Sequence, residues 1–77
     1  MNTNHIGLQI GIYRRAKGLT QEELAQRSGV HYNTIVKLEN LTKPANPTIM
    51  TLQKIAESLE VEIEIIMGTR KDVKIAD

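Results

Sequence analysis

Apolar positions fall on helical stripes over most of this chain and change period once. Between Gln21 and Ser28, Leu24 and Ala25 supply an inward face, and a side chain as small as alanine suits a place where a second helix must cross closely. From about His31 to Asn40, Ile35 and Leu38 stand three apart on one side, with Tyr32, Asn33, Val36 and Lys37 pointing elsewhere. From Ile49 to about Leu59, the positions of Leu52, Ile55, Ala56 and Leu59 predict another amphipathic helix. Residues 5–17 predict the first helix, through Ile6, Ile10 and Tyr13, with Arg14, Arg15 and Lys17 near its C-terminal end, where cations suit the helix dipole. That stretch carries an opposing signal: Ile6, Leu8, Ile10 and Ile12 alternate with period two, and Gly7 and Gly11 each weaken a helix by up to about 1 kcal/mol. After Leu59 the period changes. Val61, Ile63 and Ile65 alternate with Glu62, Glu64 and Ile66, which predicts a half-buried strand over 61–67 ending at Gly68.

The joints between these elements are as informative as the stripes. Thr20 stands three residues before Glu23, the spacing of a capping box, so a helix starts at Gln21. Gly29 ends it, because a residue free to take positive φ turns the chain sharply without a Cβ penalty, and Val30 follows as an apolar plug beneath the corner. His31 stands at the next N-cap, where histidine is a poor capping residue. Gly18 stops the first helix, Pro44 and Pro47 bracket a loop, and Thr48 caps the fourth helix. Each signal occurs in ordinary helical hairpins. Together, with Ala25 four residues before Gly29 and with Ile35 and Leu38 six and nine after it, they describe two short helices packed across a tight turn, the second with one face free. This is the layout of a helix-turn-helix and points to DNA.

Composition narrows the alternatives. Seventy-seven residues form one domain, near the size at which a single core is marginal, so burial between subunits would help. The absence of cysteine excludes disulfides and thiolate metal sites, and the lack of a long apolar run argues against a membrane span or signal peptide, so a cytoplasmic protein is expected. With Tyr13 and Tyr32 as the only aromatic residues, recognition of single strands by stacking is disfavoured. The net charge of +1 conceals an asymmetry. Residues 1–54 hold seven Lys or Arg against Glu22, Glu23 and Glu39, giving +4; residues 55–77 hold six acids against Arg70, Lys71 and Lys74, giving −3. The basic part contains the motif, and the acidic part is expected to face away from phosphates. His5 and His31 are the only histidines, and Glu60, Glu62 and Glu64 read as a solvated face, so neither catalysis nor a metal site is expected, and no cofactor is implied.

The sequence resembles the helix-turn-helix family of phage repressors and Cro proteins, the xenobiotic-response-element type. The matching residues are Gly18-Leu19-Thr20-Gln21-Glu22-Glu23-Leu24-Ala25, Ser28-Gly29-Val30, Ile35, Leu38-Glu39-Asn40, Asn46-Pro47-Thr48 and Leu52-Gln53-Lys54-Ile55-Ala56, so the likeness covers about residues 6 to 60. One position departs: Leu41 stands where the family usually has glycine, and Asn40, which tolerates the left-handed conformation, is expected to end the helix in its place. The resemblance implies that the first turn of the second helix touches phosphate and that the third helix enters the major groove. On that basis Gln21 is expected to donate to a phosphate oxygen. Tyr32, Asn33 and Lys37 face base edges: Asn pairs with adenine N6 and N7, Lys donates to guanine O6 and N7, and Tyr offers a hydroxyl and an apolar ring, while Val36 can touch a thymine methyl. His31, Thr34, Asn40, Thr42 and Lys43 are expected at the backbone. Arg14 and Glu39 match positions that form an ion pair in relatives and are expected to hold the first helix to the third.

The resulting expectation is a mainly all-α, lambda-repressor-like domain of four to five helices over 1–60, followed by a strand and tail over 61–77. Val61, Ile63 and Ile65 would pair the strand across a dimer, or fold it back through Gly68 to Asp72 as a hairpin onto Val73 and Ile75. The expected function is sequence-specific binding of double-stranded DNA by a homodimeric regulator, simplest as a repressor on a pseudo-palindromic operator. The alternative is an antitoxin, similar to relatives that end in such a strand, holding a cognate toxin through its C-terminal region and repressing its own operon. A helical adaptor that never touches DNA is the third reading.

Overall fold

Two threonines start their helices by the same device. In the computed structural model, which describes residues 3–43 and 45–68, Thr20 Oγ1 accepts from the Glu23 amide at 3.0 Å, and the Thr20 amide donates to Glu23 Oε1 at 2.8 Å. Both halves of the capping box are thus closed, and α2 runs over Gln21–Ser28. Thr48 Oγ1 likewise accepts from the Thr51 amide at 3.1 Å and starts α4, Ile49–Leu59. The first helix, α1, spans Thr3–Ala16, and α3 spans Tyr32–Glu39. A single turn, α5, covers Ile63–Met67.

The helical stripes read from the sequence all point inward. Ile6 and Ile10 of α1, Leu24 of α2, Ile35 and Leu38 of α3, and Leu52, Ile55, Ala56 and Leu59 of α4 form one buried cluster, closed by Leu19 and Val30 at the corners. Tyr13 and Ala25 pack against its margin. Gly29 adopts φ 75°, the left-handed conformation expected at the corner between α2 and α3, and its amide donates to the Ala25 carbonyl at 2.9 Å.

Gly7 does more than weaken α1. It is buried, and a Cβ built on it would overlap the carbonyl oxygen of Leu38. The missing side chain therefore lets α1 run against the backbone at the C-terminal end of α3. The helical stripe outweighs the period-two alternation here because Ile6 and Ile10 are almost completely buried, while Leu8 and Ile12 are left exposed.

Two expectations are corrected. Residues 63–67 are helical, and among the described residues no strand forms. Val61, Ile63 and Ile65 therefore form no dimer strand; the hairpin partners Val73 and Ile75 lie outside the described residues. Ile66 accounts for the difference. The strand reading placed it among the solvent-facing positions, yet it is 0% exposed and belongs to the core, against which Val61, Ile63 and Met67 also pack. A helical turn brings Ile63, Ile66 and Met67 to one side and pairs backbone groups locally, with the Ile65 amide on the Glu62 carbonyl at 3.0 Å and the Gly68 amide on the Glu64 carbonyl at 2.9 Å. A lone strand would leave such groups unpaired.

The second correction concerns the end of α3. Asn40 is extended, with φ −80° and ψ 101°, rather than left-handed. Its Oδ1 instead accepts from the Thr42 amide at 3.1 Å and the Thr42 hydroxyl at 2.6 Å, an Asx-type turn that ends the helix without positive φ.

Among the described residues no helix is long and apolar enough to cross a membrane.

Candidate nucleic-acid interface

The outer face of α3 is presented by what lies beneath it. Ile35 and Leu38 are anchored in the core, so the opposite side of α3 is turned outward. Asn33 and Lys37 are exposed and Tyr32 is 45% exposed, while Val36 and Thr34 are half-buried at the flanks. Tyr32 is not packed into its own bundle; it borders a shallow surface with Thr20, Glu22 and Gln26 of the α2 turn. His31 is exposed and makes no capping hydrogen bond from its side chain, as expected of histidine at that position.

One carboxylate ties the first three helices together. Arg14 Nε donates to Glu39 Oε2 at 2.7 Å and Arg14 Nη2 donates to Glu39 Oε1 at 2.9 Å, a two-pronged pair linking α1 to α3. Arg14 Nη1 also donates to the Leu19 carbonyl at 2.8 Å. The hydrogen bond to Glu39 raises the Arg14 pKa above its ordinary value, against an opposing effect of burial. The Glu39 carboxylate receives a third donor, the side-chain amide of Gln21, on Oε1 at 3.1 Å, which brings in the first turn of α2. Gln21 was expected to donate to phosphate. Half-buried, it directs one amide N–H inward to Glu39, which sequence spacing could not foretell because the partners are 18 residues apart.

Beyond α3, the chain from Asn40 to Lys43 forms one wall of a concave surface. Thr34, Lys37, Asn40 and Lys43 line it together with Asn46 and Thr48. Lys37 and Lys43 are exposed, and the ion pairs of the described residues, Arg14 with Glu39 and Lys17 with Glu60, leave both ammonium groups uncompensated. Thr42 is exposed but engaged with Asn40. The sequence reading gave Asn46 no part in such a surface and Thr48 only that of an N-cap. Their signal was present in Thr48 as an N-cap, since a capped helix start offers free backbone amides beside such a surface. The exposed polar side chains of α3 thus adjoin two exposed lysines and the start of α4, while Arg14 and Glu39 are occupied with each other.

The profile of the helix-turn-helix family matches residues 10–66. An uncharacterized HTH-type transcriptional regulator, y4dJ of Sinorhizobium fredii, is 38% identical over 65 residues, covering 83% of this chain and 82% of that protein. Antitoxin HipB of Escherichia coli is 39% identical over 54 residues, covering 70% of this chain and 59% of HipB. Among solved structures, the master regulator for biofilm formation SinR in complex with DNA superimposes with a TM-score of 0.75 at 32% identity, covering 80% of this chain and 97% of that one. Against the longer SinR sequence of Bacillus subtilis the chain spans 61% of the length. With the family profile covering most of the chain, and with the capped α2, the left-handed corner at Gly29 and the outward face of α3 in place, this chain belongs to the helix-turn-helix family.

Proposed function

We propose that this protein is a DNA-binding transcriptional regulator that reads double-stranded DNA in the major groove through α3. The observation that carries the reading is the outward display of Tyr32, Asn33 and Lys37 above a buried Ile35 and Leu38. Asn33 and Lys37 offer the hydrogen-bonding groups that distinguish adenine and guanine, Tyr32 a hydroxyl and an apolar ring, and Val36 a methyl contact. Around them Lys43, Thr34 and His31 would hold phosphates, with Asn40, Thr42 and the remaining N–H of Gln21 at the margin. The solved complex of SinR with DNA, a chain of similar fold and 32% identity, supports DNA as the ligand of this fold. The reading involves no catalysis and no cofactor, and places the protein with DNA in the cytoplasm.

In this reading the protein is a homodimeric repressor, each subunit reading one half of a pseudo-palindromic site, with the half-sites about one helical turn, roughly 34 Å, apart. Selection of bound duplexes from a random pool, at a stated salt concentration, tests it. Enrichment of a twofold-symmetric motif with that spacing is the expected result; a pool that stays random through successive rounds overturns sequence-specific reading.

The likeness to antitoxin HipB favours a second role, capture of a toxin by the C-terminal region. Because Ile66 is part of the core, the truncation that tests it removes residues 69–77 and leaves α5 intact. Loss of a tight complex with a neighbour-encoded protein, with DNA binding retained, is the outcome that this second role requires.

A further inference from the structure

Leu41 is the residue at which this sequence departs from the pattern it otherwise follows, and its surroundings give it a role. Leu41 is 43% exposed, yet its Cδ2 lies 3.3 Å from where a Cβ on Gly7 would stand. The leucine therefore covers the bare backbone of α1 at the point where α1 passes Leu38 of α3. The turn that follows is short and internally bonded. Asn40 Oδ1 holds both the amide and the hydroxyl of Thr42, and the Lys43 amide reaches the Asn40 carbonyl at 3.4 Å. Such a turn has a defined shape but needs an outside contact to fix its direction, and the bonds at Asn40 and Thr42 are all local. Leu41 supplies a contact from within the turn to another helix. Two residues further along, Lys43 stands beside Lys37 on the same concave surface.

We propose that Leu41 is a positioning residue for phosphate binding: by seating on Gly7 it aims the 40–43 turn so that Lys43 lies where the DNA backbone passes. The inference rests on the DNA-binding reading and deepens it. Leu41 itself touches no phosphate, so its effect travels through Lys43.

The test compares wild type, Leu41→Ala, Leu41→Met, Lys43→Ala and the double variant Leu41→Ala/Lys43→Ala on the selected duplex and on a random duplex over a range of salt. Leu41 is half-exposed, so Leu41→Ala is expected to fold, which a thermal melt verifies. Neutralising one phosphate contact lowers the salt slope by about 1, so between roughly 50 and 200 mM salt the fall in affinity shrinks about threefold. Leu41→Ala is expected to reproduce that change with the ratio of selected to random affinity kept. Lys43→Ala is expected to add nothing further in the Leu41→Ala background, and Leu41→Met to retain the wild-type slope. An unchanged slope in Leu41→Ala, or additive effects of the two substitutions, overturns the role of Leu41 while leaving the DNA reading intact. Failure of the wild type to bind any duplex overturns both.

Discussion

Arg14 and Glu39 are 25 residues apart in the chain and meet through two parallel hydrogen bonds, with side-chain exposures of 12% and 8%. Neither charge is well solvated, so each depends on the other. Removing one partner of a buried pair is costly because the remaining charge is left in a poorly solvated site. Arg14→Met is expected to lower unfolding stability by about 3 kcal/mol, measured from urea midpoints. The double variant Arg14→Met/Glu39→Met should lose less than the sum of the single losses, since neither charge is then stranded. A loss below about 1 kcal/mol for Arg14→Met would place the pair with ordinary surface ion pairs.

Gly7 and Gly11 share a helix and a face but differ in what surrounds them. A methyl at Gly7 meets the Leu38 carbonyl, a backbone atom that cannot withdraw without moving α3. The nearest atoms to a methyl at Gly11 are those of the Arg15 guanidinium, at 3.1 Å, the free end of a flexible side chain. Gly7→Ala should therefore destabilise by about 1 to 3 kcal/mol, the helix-propensity gain being overrun by the overlap. Gly11→Ala should stabilise by up to about 1 kcal/mol as the helix loses an entropic cost. Thermal melts of the two variants decide it; shifts of the same sign would contradict the packing at Gly7.

These contrasts mark where sequence reasoning worked. The start of α2, the corner at Gly29 and the whole of α4 were legible because each rests on a few neighbouring residues with strong local preferences, such as Thr20 with Glu23. The Arg14–Glu39 pair was legible only through family resemblance, since nothing local connects residues 25 apart. The structure adds that Gln21 shares the same carboxylate. The strand over 61–67 was misread because Val61, Ile63 and Ile65 satisfy period two while Ile63, Ile66 and Met67 satisfy a helical turn, and a five-residue stretch is too short for periodicity to choose. Burial of Ile66 against the rest of the core chose. Leu41 reads in the sequence only as a departure from the family pattern, because its neighbour Gly7 is 34 residues away in the chain.

The face of α3 predicts a division of labour. Asn33→Ala and Lys37→Ala should each reduce preference for one base pair by about 1 to 3 kcal/mol. Lys43→Ala should weaken selected and random duplexes alike and flatten the salt dependence. Competition binding against single-base variants of the selected site measures the first, and a salt titration the second. Equal losses on selected and random duplex for Asn33→Ala and Lys37→Ala would remove them from base reading.

The end of α4 carries a pH-dependent contrast. Glu60 adopts φ 61°, the left-handed conformation that favours glycine, and closes the helix with its amide on the Glu57 carbonyl and the Val61 amide on the Ala56 carbonyl. Its carboxylate, 76% exposed, accepts from Lys17 Nζ at 2.7 Å, and that hydrogen bond, with the attraction between the charges, holds its pKa below the ordinary carboxylate range. A group depressed on folding adds stability above its unfolded pKa, near 4.3 for glutamate, and that contribution is lost as pH falls through the lower folded value. Glu60→Gly therefore does two opposed things at neutral pH: it relieves the backbone and removes the ion pair. In acid the wild type has already lost the pair, so only the relief remains. The stability of Glu60→Gly relative to wild type is expected to improve as pH falls below about 4, and Lys17→Met should remove most of that pH dependence, leaving the smaller attraction of Arg27. Melting temperatures of wild type, Glu60→Gly, Lys17→Met and Lys17→Met/Glu60→Gly across the acid range test this. A difference between wild type and Glu60→Gly that stays constant with pH would mean that Lys17 and Glu60 are not coupled in solution.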